Sequence, residues 1–554
     1  MTAAHVRAAS ELAISALLLF VAAAAPATAA TYHVRSDGGD SEQCDGRSDA
    51  AYPGKGSAQS CAWKHPFNAL PPGKPPRIAG GDTLVIHDGS YMMGFGAPDA
   101  DACSSDSRAD CVMAPVPGGP SPTQLTRILG NNDMGQCKGK MPELWATERA
   151  RMVLRLEDSS NVELACLEVT DHSGCIKGHN HAGKTAGETE RCRSDAAPFG
   201  DWGEYGLYAR DSGNVLLRDL DIHGMAVNGI RAGRVRDWTL QRVKLRANGW
   251  AGWDGDISQG KGGSSSNSGR MVFSGGEISW NGCGERYPGK QVFGCWGQKQ
   301  GGYGDGLGTA RSGGQWLFED MRIHHNTSDG LDLLYMDGSG SVTVRRVRAE
   351  GNGGNQIKVA GPVTIENSIA VGSCAYFASF PTSNMIETDH CRAMGNTLSL
   401  TLTGGALATV RHNTLAGQGD CLLITLGGND AARVLVQNNV FLGGSEWRSK
   451  DGNHDDVCGH YASDSDASVV FERNLFWKIK DNKCPAGNLC DSDPGLTDAS
   501  LAHFNATPRA GSPLIDAGKA LPQPKDDFNR KPRPVGTAPD IGAIEVQAQG
   551  SRKP

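Results

Sequence analysis

The feature that most limits what this chain can become is a short unit that recurs along it. A turn residue leads into a strand of alternating apolar and polar residues, a second apolar pair follows about four residues later, and Asn or Gly ends the unit. Copies lie at Asn161–Leu164, Asn214–Leu217, Asp237–Leu240, Arg270–Phe273, Gln315–Phe318, Ser341–Val344, Pro362–Ile365, Thr409–His412, Arg433–Val436 and Ser468–Phe471. From the first apolar residue of each, the steps are 53, 23, 33, 45, 26, 21, 47, 24 and 35 residues. The short steps, 21 to 26, define one coil of a solenoid; the long ones are two coils, or one coil carrying an insertion. Alternation such as Val342-Thr343-Val344 sends one face inward and the other outward. With 74 glycines and many Asn-Gly, Asp-Gly and Gly-Gly pairs to turn each coil, few helices are expected. Leucine-rich repeats share the period but need a Leu spacing that is absent, and propeller blades need units of about 40 residues. The expected fold is therefore all-β: a right-handed parallel β-helix with disulfide-stapled loop insertions.

Residues 1–29 read as a signal peptide: Arg7, an apolar run through Leu17-Leu18-Leu19-Phe20-Val21 to Ala25, then Ala27-Thr28-Ala29. No later stretch is apolar enough to cross a bilayer, so no membrane insertion is expected and the chain is read as secreted or periplasmic. All 16 cysteines follow the signal, which in an exported chain favours disulfides. Cys44/Cys61, Cys103/Cys111, Cys175/Cys192, Cys283/Cys295, Cys374/Cys391 and Cys484/Cys490 are sequential neighbours able to staple local loops, although spacing alone does not set connectivity. With no CxxC pair and no accompanying His cluster, zinc on these thiols is disfavoured. A net charge of −7 gives no basic footprint for nucleic acid, yet permits an acidic glycan held by local cations. Residues 30–150 are read as N-terminal coils with a Cys- and Pro-rich insertion, 151–480 as the regular β-helix, and 481–554 as a C-terminal capping segment covering strand edges. A monomer is expected.

The residues able to do chemistry fall in three consecutive coils: Gly304-Asp305-Gly306-Leu307, Ser328-Asp329-Gly330-Leu331-Asp332-Leu333 and Gly354-Asn355-Gln356-Ile357-Lys358-Val359. Asp305 to Asp329 is 24 residues and Asp332 to Lys358 is 26, one coil each, so these side chains should stack about 4.8 Å apart. Leu331 should point inward and Asp332 outward, with Asp329 at the adjoining turn. Stacked carboxylates call for a cation, and Ca²⁺ suits hard oxygen donors.

This run, Asp329-Gly330-Leu331-Asp332-Leu333 followed by Gly354-Asn355-Gln356-Ile357-Lys358-Val359, resembles the calcium-site and base motifs of family 9 polysaccharide lyases, which include β-helical pectate lyases. The resemblance covers roughly residues 300 to 372. It implies Asp305, Asp329 and Asp332 as calcium ligands and Lys358 as general base. Ser328 stands where the family carries a second Asp, leaving one negative charge fewer. The implied reaction is β-elimination on an acidic, uronate-containing polysaccharide: a cation neutralises the uronate carboxylate, and Lys358 takes the C5 proton. A free Lys titrates at about 10.4, so nearby positive charge or desolvation is needed to keep it neutral. Arg311 and Arg345 are candidate contacts for substrate carboxylates, with Arg346 facing opposite to Arg345.

Blander assignments stand beside these. Asp-Gly pairs are ordinary coil corners, and an Asp332/Lys358 cross-strand pair is an ordinary solvated arrangement. Asn248, Asn281, Asn326 and Asn352 should form turn-stabilising stacks; His223, His324 and His325 are assigned no role. Trp250, Trp253, Trp280 and Trp296 are read as packing before sugar-stacking, and Asp254 and Asp256 as a weak extension of the acidic row. Two other functions fit the same sequence. A glycoside hydrolase would use paired Asp without Lys358 or calcium. A non-catalytic surface, adhesion or glycan-binding solenoid would tolerate loss of both Asp332 and Lys358.

Overall fold

A computed structural model describes residues 29–547 apart from 134–135, 174–201, 258–265, 296–303, 374–394, 419–420, 444–456 and 480–483. The expected signal segment lies almost wholly outside the described residues, as do Cys175, Cys192, Cys374 and Cys391.

The chain winds as a right-handed parallel β-helix with three long sheets. Sheet 1 and sheet 2 have 13 strands each and sheet 3 has 10, all paired in parallel. All ten sequence units fall on successive neighbouring strands of sheet 1, from Val162–Ala165 to Ser468–Glu472. Each step is thus a single coil, and the long steps are insertions rather than double coils. One unit is displaced: Val363 pairs with Ala408 and not Val410, which makes the neighbouring steps 45 and 26 residues instead of 47 and 24. The sheets begin at Thr31–Gly39, so the N-terminal residues already belong to the solenoid. Helix is limited to a four-residue turn, Pro66–Ala69, and a short 3-10 segment among the described residues.

Alternation explains the core. In Ser341–Arg345, Val342 and Val344 are buried while their neighbours are half-exposed. Trp238, Trp253, Phe273, Trp316 and Phe318 fill the interior of the middle coils, with Phe273 and Phe318 stacked at 4.9 Å. Such an interior is stiff, because close-packed rings leave the backbone above them little room to shift.

The corner from sheet 1 to sheet 2 departs from the glycine expectation. One residue per coil sits at positive φ there, and most are not Gly: Asp219 (φ 53), Arg242 (55), Asp320 (56), Arg346 (53), Asn367 (50), His412 (53) and Asn438 (58). This conformation costs roughly 1–2 kcal/mol for a residue with a Cβ. Side-chain pairing along the corner offsets it: Arg242 grips Asp219 with two hydrogen bonds, 2.6 and 2.8 Å, and Arg346 grips Asp320 likewise.

The corner from sheet 2 to sheet 3 is held by the expected asparagine stack. Asn248, Asn281, Asn326 and Asn352 are fully buried, and each amide donates to the next carbonyl at 2.8–3.0 Å, ending on Gln356. A second stack, Asn413-Asn439-Asn474-Asn488, lies instead at the corner from sheet 1 to sheet 2 in the later coils.

The C-terminal segment does two things. Leu489–Cys490 adds one last strand to sheet 2, and the remainder turns back along that sheet's flank. There Leu496, Phe504, Leu514, Ile541 and Ala543 bury against Ile369, Val371, Val440, Leu442 and Leu475. Most of the segment read as a cap therefore covers a side, because these strands carry apolar residues on their outer face. Six disulfides are described: Cys44–Cys61, Cys103–Cys111, Cys283–Cys295 and Cys484–Cys490 as sequential neighbours, together with Cys137–Cys166 and Cys421–Cys458.

Candidate active site

Sheet 3 carries the site. Its register pairs Leu307 with Leu331 and Leu331 with Ile357 on the inside, all fully buried, and Gly308 with Asp332 and Asp332 with Lys358 on the outside. The outward row continues backward through Asp254 and Arg231. The four residues Asp305, Asp329, Asp332 and Lys358 are brought together as their spacing required. The Lys358 ammonium lies 2.8 Å from Asp332 Oδ2 and 3.1 Å from Asp329 Oδ2.

Asp305 and Asp329 have a double attachment that the sequence did not show. They belong to a side-chain ladder parallel to the asparagine stack: Asp329 N donates to Asp305 Oδ1 at 2.9 Å, and Asn355 N and Nδ2 both donate to Asp329 Oδ1. Asn396 then donates to Asn355 Oδ1. One oxygen of each aspartate is thus spent on holding the corner. The other faces outward: Asp329 Oδ2 meets Lys358, and Asp305 Oδ2 would lie 3.2 Å from a Cβ at position 308. Gly308 leaves the row open directly over the buried Asp305.

Three acids around one ammonium disturb each other. Burial, then the charges of Asp329 and Asp332, push the Asp305 carboxyl up to about 8. Burial and Asp329 likewise raise Asp332. For Lys358, burial alone would favour the neutral amine, but the pull of Asp329 and Asp332 outweighs it and holds the ammonium well above the ordinary Lys range. The neutral Lys expected from the chemistry is therefore the opposite of what this arrangement favours, since the nearest charges are all negative.

The donor set suits a hard cation in type, with the carboxyl oxygens of three aspartates beside one ammonium and open space at Gly308. The oxygens do not converge fully, however. A set of three donors within 4.8 Å occurs among the described residues at His33/Asp49/His87, not at these aspartates, where Lys358 stands between Asp329 and Asp332.

The two arginines fare differently. Arg311 is exposed at the exit of sheet 3, near Asp337. Arg345 lies on sheet 1, paired with Glu319, and is not brought to the cluster; sheet 1 forms a different face of the solenoid. Arg346 ends in the corner, paired with Asp320 and Asp526. Sequence reading passed over Arg231, which shares the outer face of sheet 3, donates to Tyr205 Oη at 3.1 Å and faces Asp254 at 3.7 Å. Its signal was the one-coil step from Arg231 to Asp254. Trp253 is buried in the core and Trp280 stacks on His325 at 4.6 Å, while Trp296 lies outside the described residues. The exposed aromatic nearest in sequence to Asp332 is Tyr335, 58% exposed. His223 is buried on sheet 2 between Glu168 and Glu285, at 3.1 and 2.8 Å.

No family model matches the chain, and no curated protein matches it. Among solved structures it is similar to pectate lyase Pel9A, at 13% identity over 93% of this chain and 96% of that one, with a TM-score of 0.44. It is also similar to an alginate lyase from Paenibacillus sp. str. FPU-7, at 11% identity over 73% and 93% with a TM-score of 0.33. The mannuronan C-5 epimerase AlgE4 A-module of Azotobacter vinelandii is a third, at 10% identity over 74% and 91% with a TM-score of 0.33.

Proposed function

We propose that the protein is an exported polysaccharide lyase that cleaves a uronate-containing polysaccharide by calcium-assisted β-elimination, with Lys358 as the base. The observation that carries this reading is the outward pair Asp332/Lys358 in register on sheet 3, with Asp329 beside it and Asp305 beneath Gly308. The motif resemblance to family 9 lyases supports it.

Asp305, Asp329 and Asp332 would hold calcium, whose chemistry there is to neutralise a substrate carboxylate and acidify the adjacent C–H. The protein's own residues do the rest. Asp329 and Asp332 keep Lys358 on the outer face, and engaging those carboxylates elsewhere frees the ammonium to lose its proton. Arg231 and Arg311 are cations on this side able to meet further uronate carboxylates, and Tyr335 offers an exposed ring to a sugar face. Asp305 is no candidate for the acid of a hydrolase despite its raised pKa, since it is only 5% exposed and lies under the row. Disulfides suit an oxidising exterior.

The test is the ultraviolet absorbance of unsaturated uronide on pectate, alginate and glycosaminoglycan panels, with calcium or chelator. A calcium-dependent rise absent in Lys358→Ala is the expected result. No rise on any polymer overturns the lyase reading in favour of a binding solenoid, and chelator-resistant cleavage without unsaturated product favours a hydrolase.

A further inference from the structure

At the N-terminal end of the solenoid, far along the chain from the aspartate cluster, three segments bring two imidazoles and a carboxylate together. His33 sits on Thr31–Gly39 and points outward between buried Tyr32 and Val34. His87 follows the next strand, Thr83–Ile86, with its backbone N–H donating to Val34 O at 2.9 Å. Asp49 arrives on the loop closed by Cys44–Cys61. That loop is pinned on either side of the carboxylate: Ala62 N donates to Ala50 O and Tyr52 N to Asp37 O, both at 2.9 Å.

The donor atoms are close. His33 Nδ1 is 3.2 Å from His87 Nε2, His87 Nε2 is 3.5 Å from Asp49 Oδ1, and all three lie within 4.8 Å of one another. A tetrahedral zinc ion with bonds of about 2.0–2.1 Å separates its ligand atoms by about 3.3–3.4 Å, which these distances bracket. The local charge also fits. Asp37, Asp49 and Asp88 outnumber Arg35 around the two imidazoles. Arg35 shares Asp49 Oδ1 at 2.8 Å, but it is held independently by Asp37 through Nε and Nη2. A cleft of about 310 Å³, lined by Arg35, Ser36, Asp37, His87, Asp88 and Asn131, opens beside His87 and leaves room for a fourth ligand.

We infer that His33, His87 and Asp49 form a binding site for a divalent transition-metal cation, zinc by donor type, that clips the stapled loop to the first coil. Imidazole nitrogens discriminate against calcium, so this site and the aspartate cluster select different ions. The inference is independent of the proposed lyase activity. The sequence offered no sign of it, because the two histidines are 54 residues apart and neither accompanies a cysteine pair.

The experiment is calorimetric titration of tag-free, chelator-stripped protein with zinc chloride, and in parallel with cobalt chloride followed by visible absorption. One zinc per chain is expected, unaffected by excess calcium, together with the intense visible bands of tetrahedral cobalt. His33→Ala and His87→Ala should each abolish both signals while leaving the thermal midpoint in chelator unchanged. Absence of zinc uptake by the wild type, or undiminished uptake by His87→Ala, overturns the site. Should either variant misfold, the wild-type cobalt spectrum alone decides, and octahedral or absent bands refute it.

Discussion

At the scale of single residues, the site rests on aspartates that serve two masters. Oδ1 of Asp329 accepts from Asn355, and Oδ2 holds Lys358, so replacing Asp329 would damage the corner and the chemistry together. Gly308 and Lys358 separate the two. A Cβ at Gly308 meets Asp305 Oδ2 at 3.2 Å, within reach of a small side-chain shift, and the backbone there needs no positive φ. Gly308→Ala should therefore keep its thermal midpoint within a few degrees yet bind calcium more weakly, as read by titration calorimetry. Lys358→Ala removes the ammonium that competes for Asp329 and Asp332. It should bind calcium more tightly than the wild type while losing activity, which separates base from metal in a way no carboxylate variant can.

At the scale of elements, the asparagine stack is what aligns successive strands of sheet 3. Asn326 donates to Asn352 Oδ1 and accepts from Asn281, all fully buried. Asn326→Ala leaves both neighbours short of partners, at a cost of about 2–3 kcal/mol. Urea denaturation should show this loss, and activity should fall with it because Asp329 follows Asn326 by one short turn. The corner between sheets 1 and 2 makes the complementary point. Its positive-φ residues are mostly Asp, Arg, Asn and His rather than Gly, since a side chain that bonds its counterpart one coil away recovers what the backbone conformation costs.

At the scale of the molecule, buried neutral histidines set the acid limit. Burial lowers His65 to about 4, His460 to about 4 and His325 to about 3. An unfolded chain protonates these groups near 6.5, so it binds more protons than the native state between that value and the folded one. Stability contributed by each is present above about 6.5 and is lost as pH falls, by up to about 1.4 kcal/mol per pH unit and group. His223 acts the other way, because Glu168 and Glu285 outweigh burial and raise it; its contribution is full below about 6.5 and lost as pH rises through the raised value. Since the His223 contribution is already complete below about 6.5, the lowered histidines alone predict a thermal midpoint that drops steadily from pH 6.5 to 4.5, measurable by calorimetry; a flat midpoint over that range would refute this.

Periodicity along the chain was enough to specify the solenoid, its core alternation and the stacking of Asp305, Asp329, Asp332 and Lys358, because coil length converts sequence distance directly into position. Four of the disulfides were legible for the same reason, as loops short enough to close locally. What spacing could not express is direction and electrostatics. Arg345 has the right chemistry but faces away on sheet 1, Lys358 is held charged by the very acids meant to assist it, and the closing segment runs back along a flank whose outward apolar residues are ordinary in sequence. His33, Asp49 and His87 meet only because a stapled loop folds onto the first coil, and contacts between segments of unrelated period leave no repeat to read.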